Sequence, residues 1–143
     1  MPDTNEERPL IERQLVWRAR RKLKRVRREG RTGLLAYSVI PSSNRSGYRY
    51  LRFVYVREGG RELHAGSVDN RAVTWTDLPP GVHRLTFVVS DAGKEVSFQK
   101  DITLGPGQIL AVWCYTTYSL KVFDRNPRPN RWYIGVLGGQ PKQ

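Results

Sequence analysis

The sequence predicts a mainly β protein, an antiparallel β-sandwich of seven to eight short strands carrying an N-terminal basic α-helix. Three observations predict it. From Gly33 onward apolar residues recur with a period of two, in short runs cut by Gly, Pro, Asn and Asp turns. Before that point the apolar period is that of a helix. The charge is divided in the same place: from Arg8 to Arg31 eleven basic residues stand against Glu12 and Glu29, so this stretch carries +9 of the formal net +12. The remainder is close to balanced. These breaks divide the chain into a basic helical arm (1–31), a β-sandwich domain (33–137) and a flexible tail (138–143).

A body of about 105 residues can bury a core without covalent staples. Fifteen aromatics and a 38% hydrophobic fraction supply one and argue against wholesale disorder. The lone Cys114 cannot form an intramolecular disulfide, and no Cys/His spacing suggests a metal site. No apolar run approaches the roughly 20 residues that span a bilayer, and no secretory pattern follows the basic stretch, so the expected address is the cytoplasm.

In the arm, Thr4 and Glu7 match a capping box and Pro9 is tolerable in a first turn, which predicts a helix over residues 8–29. At about 100° per residue Ile11, Leu15, Val16, Ala19, Leu23 and Val26 share one face. Glu12 and Lys22 project into that stripe, and Trp17 stands away from it among the arginines. Gly30 and Gly33 supply stop signals.

The strands follow in order. Leu34 to Ile40 is a short apolar strand, then a polar loop runs to Gly47. Residues 49–57 form a strand with both faces partly covered, and Glu58-Gly59-Gly60-Arg61 turns the chain into a strand over 62–65. Residues 72–76 form another, ended by Asp77-Leu78-Pro79-Pro80-Gly81. In the next pair His83, Leu85, Phe87 and Val89 share one face, and Val96, Phe98, Ile102 and Leu104 share one face of its partner, with Lys100 the exception. This is a half-buried hairpin turning at Asp91-Ala92-Gly93. Ile109 to Tyr115 is apolar on both faces, as befits a central strand or one that faces a docked helix. Strands over 119–123 and 132–137 complete the set.

Within this hairpin, Leu78, Gly81, His83, Leu85, Phe87, Ile102, Leu104, Gly107 and Gln108 resemble the pattern of PEGA-type and related transthyretin-like, carboxypeptidase-regulatory-like modules. Those modules share a leucine before a Pro-Gly turn, an x-His-x-apolar-x-apolar strand, and a Leu-x-x-Gly-Gln turn into the last strand. The resemblance covers about residues 78–108. It implies a non-catalytic sandwich of seven or eight strands and assigns no binding residue.

Catalytic ingredients are thin. His83 falls on the buried face and reads as a satisfied core histidine; His64 has no Cys or second His nearby; Cys114 reads as interior strand. Gly59-Gly60 lacks the Lys-Ser or Lys-Thr of a phosphate loop. The expectation is a protein that is not an enzyme and uses no metal or cofactor.

What the sequence offers is a polycation. Arg13, Arg18, Arg20, Arg21, Lys22, Lys24, Arg25, Arg27 and Arg28, with Trp17 among them, are the candidate contacts for nucleic acid or another polyanion, Arg suiting phosphate through its bidentate fork. A secondary patch of Arg45, Arg49, Tyr50 and Arg52 interleaves arginine with aromatics, as do Arg125, Arg128, Arg131 and Trp132. Nucleic acid is the favoured partner. An anionic lipid surface is second, and an acidic protein or another subunit, docked on the apolar stripe, is third. Homo-oligomerisation through sheet edges is also open, and no small-molecule substrate is inferred.

Overall fold

The computed structural model describes residues 5–40, 52–67, 69–91, 93–116 and 129–138. In chain order the elements are β1 (Asn5–Pro9), α1 (Trp17–Arg28), β2 (Gly33–Val39), β3 (Arg52–Glu58), β4 (Arg61–Ser67), β5 (Thr74–Asp77), β6 (Gly81–Asp91), β7 (Lys94–Leu104), β8 (Ile109–Tyr115) and β9 (Asn130–Leu137). The protein is mainly β, with two sheets and one α-helix among the described residues. One sheet runs β1-β9-β8-β2-β5 and the other β4-β3-β6-β7. Pairing is antiparallel except for β1 with β9 and β2 with β8.

Alternation along β2 and β8 explains the layering. Leu34 and Ala36, with Leu110, Val112 and Cys114, point into an apolar cluster that also holds Val54, Leu85 and Phe87 of the other sheet. Their neighbours Leu35, Tyr37 and Ile109 point the opposite way, into a second cluster closed by Leu15, Ala19, Leu23 and Val26. The five-stranded sheet is therefore covered on both faces, by the other sheet and by α1. That is why β8 carries no polar face.

The helix is shorter than the sequence predicts, and residues 5–9 are strand rather than its first turns. Glu7, half of the expected capping box, stands in β1 opposite Trp132, while Thr4 lies outside the described residues. The reason lies in the tertiary contacts. The indole Nε1 of the fully buried Trp132 needs an acceptor, and Asn5 Oδ1 supplies it at 3.1 Å while also accepting from Asn130 Nδ2 at 3.3 Å. Ile11, placed on the apolar stripe by periodicity, is 45% exposed in consequence. At the far end the sequence signal holds: Gly30 sits at φ 68°, Gly30 N donates to Arg27 O and Arg31 N to Val26 O, both at 3.0 Å. This pair of bonds is the Schellman closure.

Lys100, the exception on the apolar side of β7, bonds to Glu7 of β1 and so ties the two sheets together along one side. Near one end of the core, Arg52 of β3 is 3% exposed and reaches two other strands, β6 and β9. Its Nη2 donates to Asn130 Oδ1 at 3.0 Å and its Nη1 to Asp91 Oδ2 at 3.2 Å, while Thr116 Oγ1 donates to the same Asn130 oxygen at 2.8 Å. This buried guanidinium links β3 of one sheet to β9 of the other.

On the opposite side, β4 approaches β2 and β5 through His64. Its Nε2 is 2.9 Å from Ser38 Oγ and its Nδ1 3.1 Å from Thr74 Oγ1. Gly66 permits the approach, since a Cβ there would lie 2.4 Å from Ser38 Oγ. Hydroxyls donate or accept as required, so neutral His64 is satisfied in either tautomer. Burial pushes its pKa down to about 4. Below the unfolded value of about 6.5 the unfolded chain binds the extra proton, so stability falls as the pH drops toward 4. Denaturant melts at pH 7 and pH 5 are expected to differ by about 2 kcal/mol from this group, and His64→Gln to remove that part of the difference.

Candidate functional site

Helix α1 combines two incompatible demands, and the sheet reconciles them. Like charges three and four residues apart each cost a few tenths of a kcal/mol. Burying Leu15, Leu23 and Val26 returns about 1.5–3 kcal/mol for each large aliphatic side chain, and all three are at most 3% exposed. The docked helix is thus stable without a bound counter-charge, and its cationic side is held outward on a fixed platform. Val16 N also donates to Tyr37 Oη at 3.2 Å, fixing the entry to α1. Burial, opposed by that bond, raises the pKa of the Tyr37 phenol.

Of the predicted contacts, Arg13, Arg18, Arg20, Arg21, Lys24, Arg25 and Arg28 are exposed and Lys22 is half-buried. None of these eight forms an ion pair with a described residue. Arg27 differs from them. It meets Glu12 bidentately, at 2.7 and 3.1 Å, and its Nε donates to Gly138 O at 3.1 Å. The Arg27 bond holds the Glu12 carboxyl below its ordinary range, with burial opposing it. Arg27 therefore fastens the helix to the turn before it and to the end of β9 instead of facing a partner.

Trp17 is 58% exposed at the start of α1, with the Arg21 guanidinium 5.4 Å from its ring centroid. Beside it, two open hollows of about 380 and 440 Å³ share Arg18 and Val73 and adjoin as a shallow trough, the larger between α1 and the segment leading into β5 and the smaller reaching on to residues 37–40 at the end of β2. Arg18, Arg21, Lys22 and Arg25 line the helix side of the larger hollow, and Arg71 lines the smaller one together with Arg18. Arg71 is the residue that sequence reasoning missed. Nothing in Asp69-Asn70-Arg71-Ala72 marks it, yet Ser67 and Asn70 exchange backbone bonds of 3.2 Å and Asn70 Nδ2 donates to Ala65 O at 2.8 Å, which closes the turn that presents it.

The other aromatic and arginine patches do not assemble into this site. Arg45, Arg49 and Tyr50 lie outside the described residues, as do Arg125 and Arg128. Arg52 is enclosed by the polar contacts given above and presents no surface to a ligand, a correction to the expected secondary patch; inward alternation along β3 puts it on the face of Val54 and Val56. Trp132 is likewise interior, edge-on to Phe87 at 5.3 Å and to Phe98 at 6.0 Å.

Groups with acid-base chemistry are in structural positions. His83 Nδ1 lies 2.5 Å from Glu58 Oε2 and Nε2 2.7 Å from Pro79 O. Both neighbours can accept from the ring, an arrangement that favours the protonated imidazole. Burial pulls the His83 pKa down, but the Pro79 carbonyl and Glu58 carboxylate outweigh it and the net shift is upward. Cys114 is fully buried, and burial pushes its thiol far above the ordinary range against the pull of Arg52. Among the described residues no group of three or more His, Cys, Asp or Glu side chains is placed to hold a metal ion, and no helix is long and apolar enough to cross a membrane. Comparison with protein-family models, with curated proteins and with solved structures finds no match to this chain.

Proposed function

We propose that this chain is a non-catalytic binding module in which a β-sandwich presents a basic helix to a polyanion, nucleic acid in first place. One observation carries the reading: Arg18, Arg20, Arg21, Lys22, Lys24, Arg25 and Arg28 lie on a helix whose apolar side is occupied by its own sheet, Arg13 stands just before it, and none of these eight forms an ion pair with a described carboxylate. Phosphates supply the missing counter-charge, and guanidinium groups suit them. A PEGA-like reading of residues 78–108 remains the architectural part of the proposal, and a cytoplasmic address its cellular part. The stripe Leu15, Ala19, Leu23 and Val26 is buried within the chain, so docking on another subunit would have to use the polar side of α1 instead.

An anionic membrane surface is the second reading. It is favoured by a separate observation, the exposure of Ile11 (45%), Val16 (39%) and Trp17 (58%) beside the same arginines. Purification in low and in high salt separates the two, with ultraviolet absorbance for nucleic acid and a lipid extract taken from one sample. Nucleic acid that accompanies the protein in low salt and leaves in high salt is the expected result. Lipid alone in the low-salt sample would favour the membrane, and a protein free of both would count against either polyanion.

A further inference from the structure

Resting on the polyanion reading, we infer that the trough beside α1 takes single-stranded nucleic acid, with one base stacked on Trp17 and successive phosphates on the helix side of the trough. Three features of the site lead there. The first is the way the helix is seated. An α-helix with its side chains is about 10–12 Å across and fills a B-DNA major groove about 12 Å wide only when it projects into it. Here α1 lies flat on a five-stranded sheet. With strands about 4.8 Å apart, five of them make a sheet about 19 Å wide. The sheet is wider than the groove, so the duplex is kept from closing round α1.

The second feature is the concave wall. Arg18, Arg21, Lys22 and Arg25 place four cations within about two turns, spread over about 10.5 Å of the helix axis. Arg71 joins Arg18 in lining the adjoining smaller hollow. A flexible strand can lay its backbone in such a trough, whereas a duplex presents a stiff convex surface and a bilayer a flat one.

The third is Trp17. Arg21 covers the indole at 5.4 Å, and the side chain is 58% exposed, which leaves room for a base to complete a guanidinium–indole–base stack. Bases stack in this way whatever their identity, so the preference is for strandedness rather than sequence.

The test uses the full chain with three probes: a deoxythymidine strand of about fifteen nucleotides, a duplex of equal length, and vesicles of mixed phosphatidylcholine and phosphatidylserine. The single strand should bind at least tenfold more tightly than the duplex and quench tryptophan fluorescence. Trp17→Ala, at an exposed position, should keep the melting temperature, abolish the quenching and weaken the single strand about tenfold while leaving duplex affinity within twofold. Equal affinity for both nucleic acids, or quenching that survives Trp17→Ala, overturns this inference and leaves the polyanion reading standing. Binding to the vesicles alone overturns nucleic acid as the partner. Binding to none of the three overturns both.

Discussion

Replacing Arg18, Arg21 and Arg25 together with Gln is expected to weaken polyanion binding by about two orders of magnitude at low salt, with the fold intact. The magnitude follows from counterion release. Each phosphate neutralised contributes about −0.7 to the slope of log affinity against log salt for a single strand and about −0.9 for B-DNA. Losing three contacts should therefore flatten the slope by about two units. All three side chains are exposed and outside any ion pair with a described residue, so unfolding free energies should move by no more than about 0.5 kcal/mol. Arg84→Gln provides the control. It removes an exposed bidentate contact to Asp101 in the other sheet, at 2.9 and 3.4 Å, and should leave both affinity and slope unchanged. Anisotropy titrations of a labelled oligonucleotide across a salt series give both quantities. An unaltered slope in the triple variant would place the contacts elsewhere.

Leu23→Ala is expected to cost about 2–5 kcal/mol of unfolding free energy, the range for emptying a packed leucine site. Leu23 is 2% exposed and lies in the cluster that joins Leu15, Ala19 and Val26 to Leu35, Tyr37 and Ile109. Urea melts monitored by circular dichroism provide the check, and a loss below about 1 kcal/mol would mean that α1 is not docked as described. The same packing bears on any truncation. Deleting residues 1–31 would strip β1 from the edge of its sheet and uncover Leu35 and Tyr37, so it would test stability before it tested binding.

Much of this arrangement was legible in local pattern. The period of two in His83 to Val89 and in Val96 to Leu104 became the longest paired strands, β6 and β7. The two-sided apolarity of Ile109 to Tyr115 became a strand covered by a helix on one face and a sheet on the other, and Gly30 ended the helix. What escaped reading depends on residues distant in sequence. The stretch Asn5 to Pro9 has no apolar residue and becomes strand by pairing with β9. Lys100 breaks its alternation because Glu7 waits across the edge, 93 residues away. In β3 both faces carry aromatic or aliphatic residues, so alternation alone could not place Arg52 on the inner one. In the site itself the charge and the exposed tryptophan were visible in sequence. Arg71, the diversion of Arg27 to Glu12 and the concave shape were not, because each arises where separate segments meet.

The parallel pairing of β1 with β9 also sets the order in which the molecule can be completed. Asn5 and Asn130 are 125 residues apart, and at about 5–20 residues per second a ribosome needs several seconds to deliver the second after the first. For most of that interval the cationic segment has been made while Ile109, one of the residues on which it will rest, has yet to be synthesised. The newborn chain thus carries its arginines on a segment whose seat is only partly made, and β9, the last of the described strands to appear, receives β1, the first.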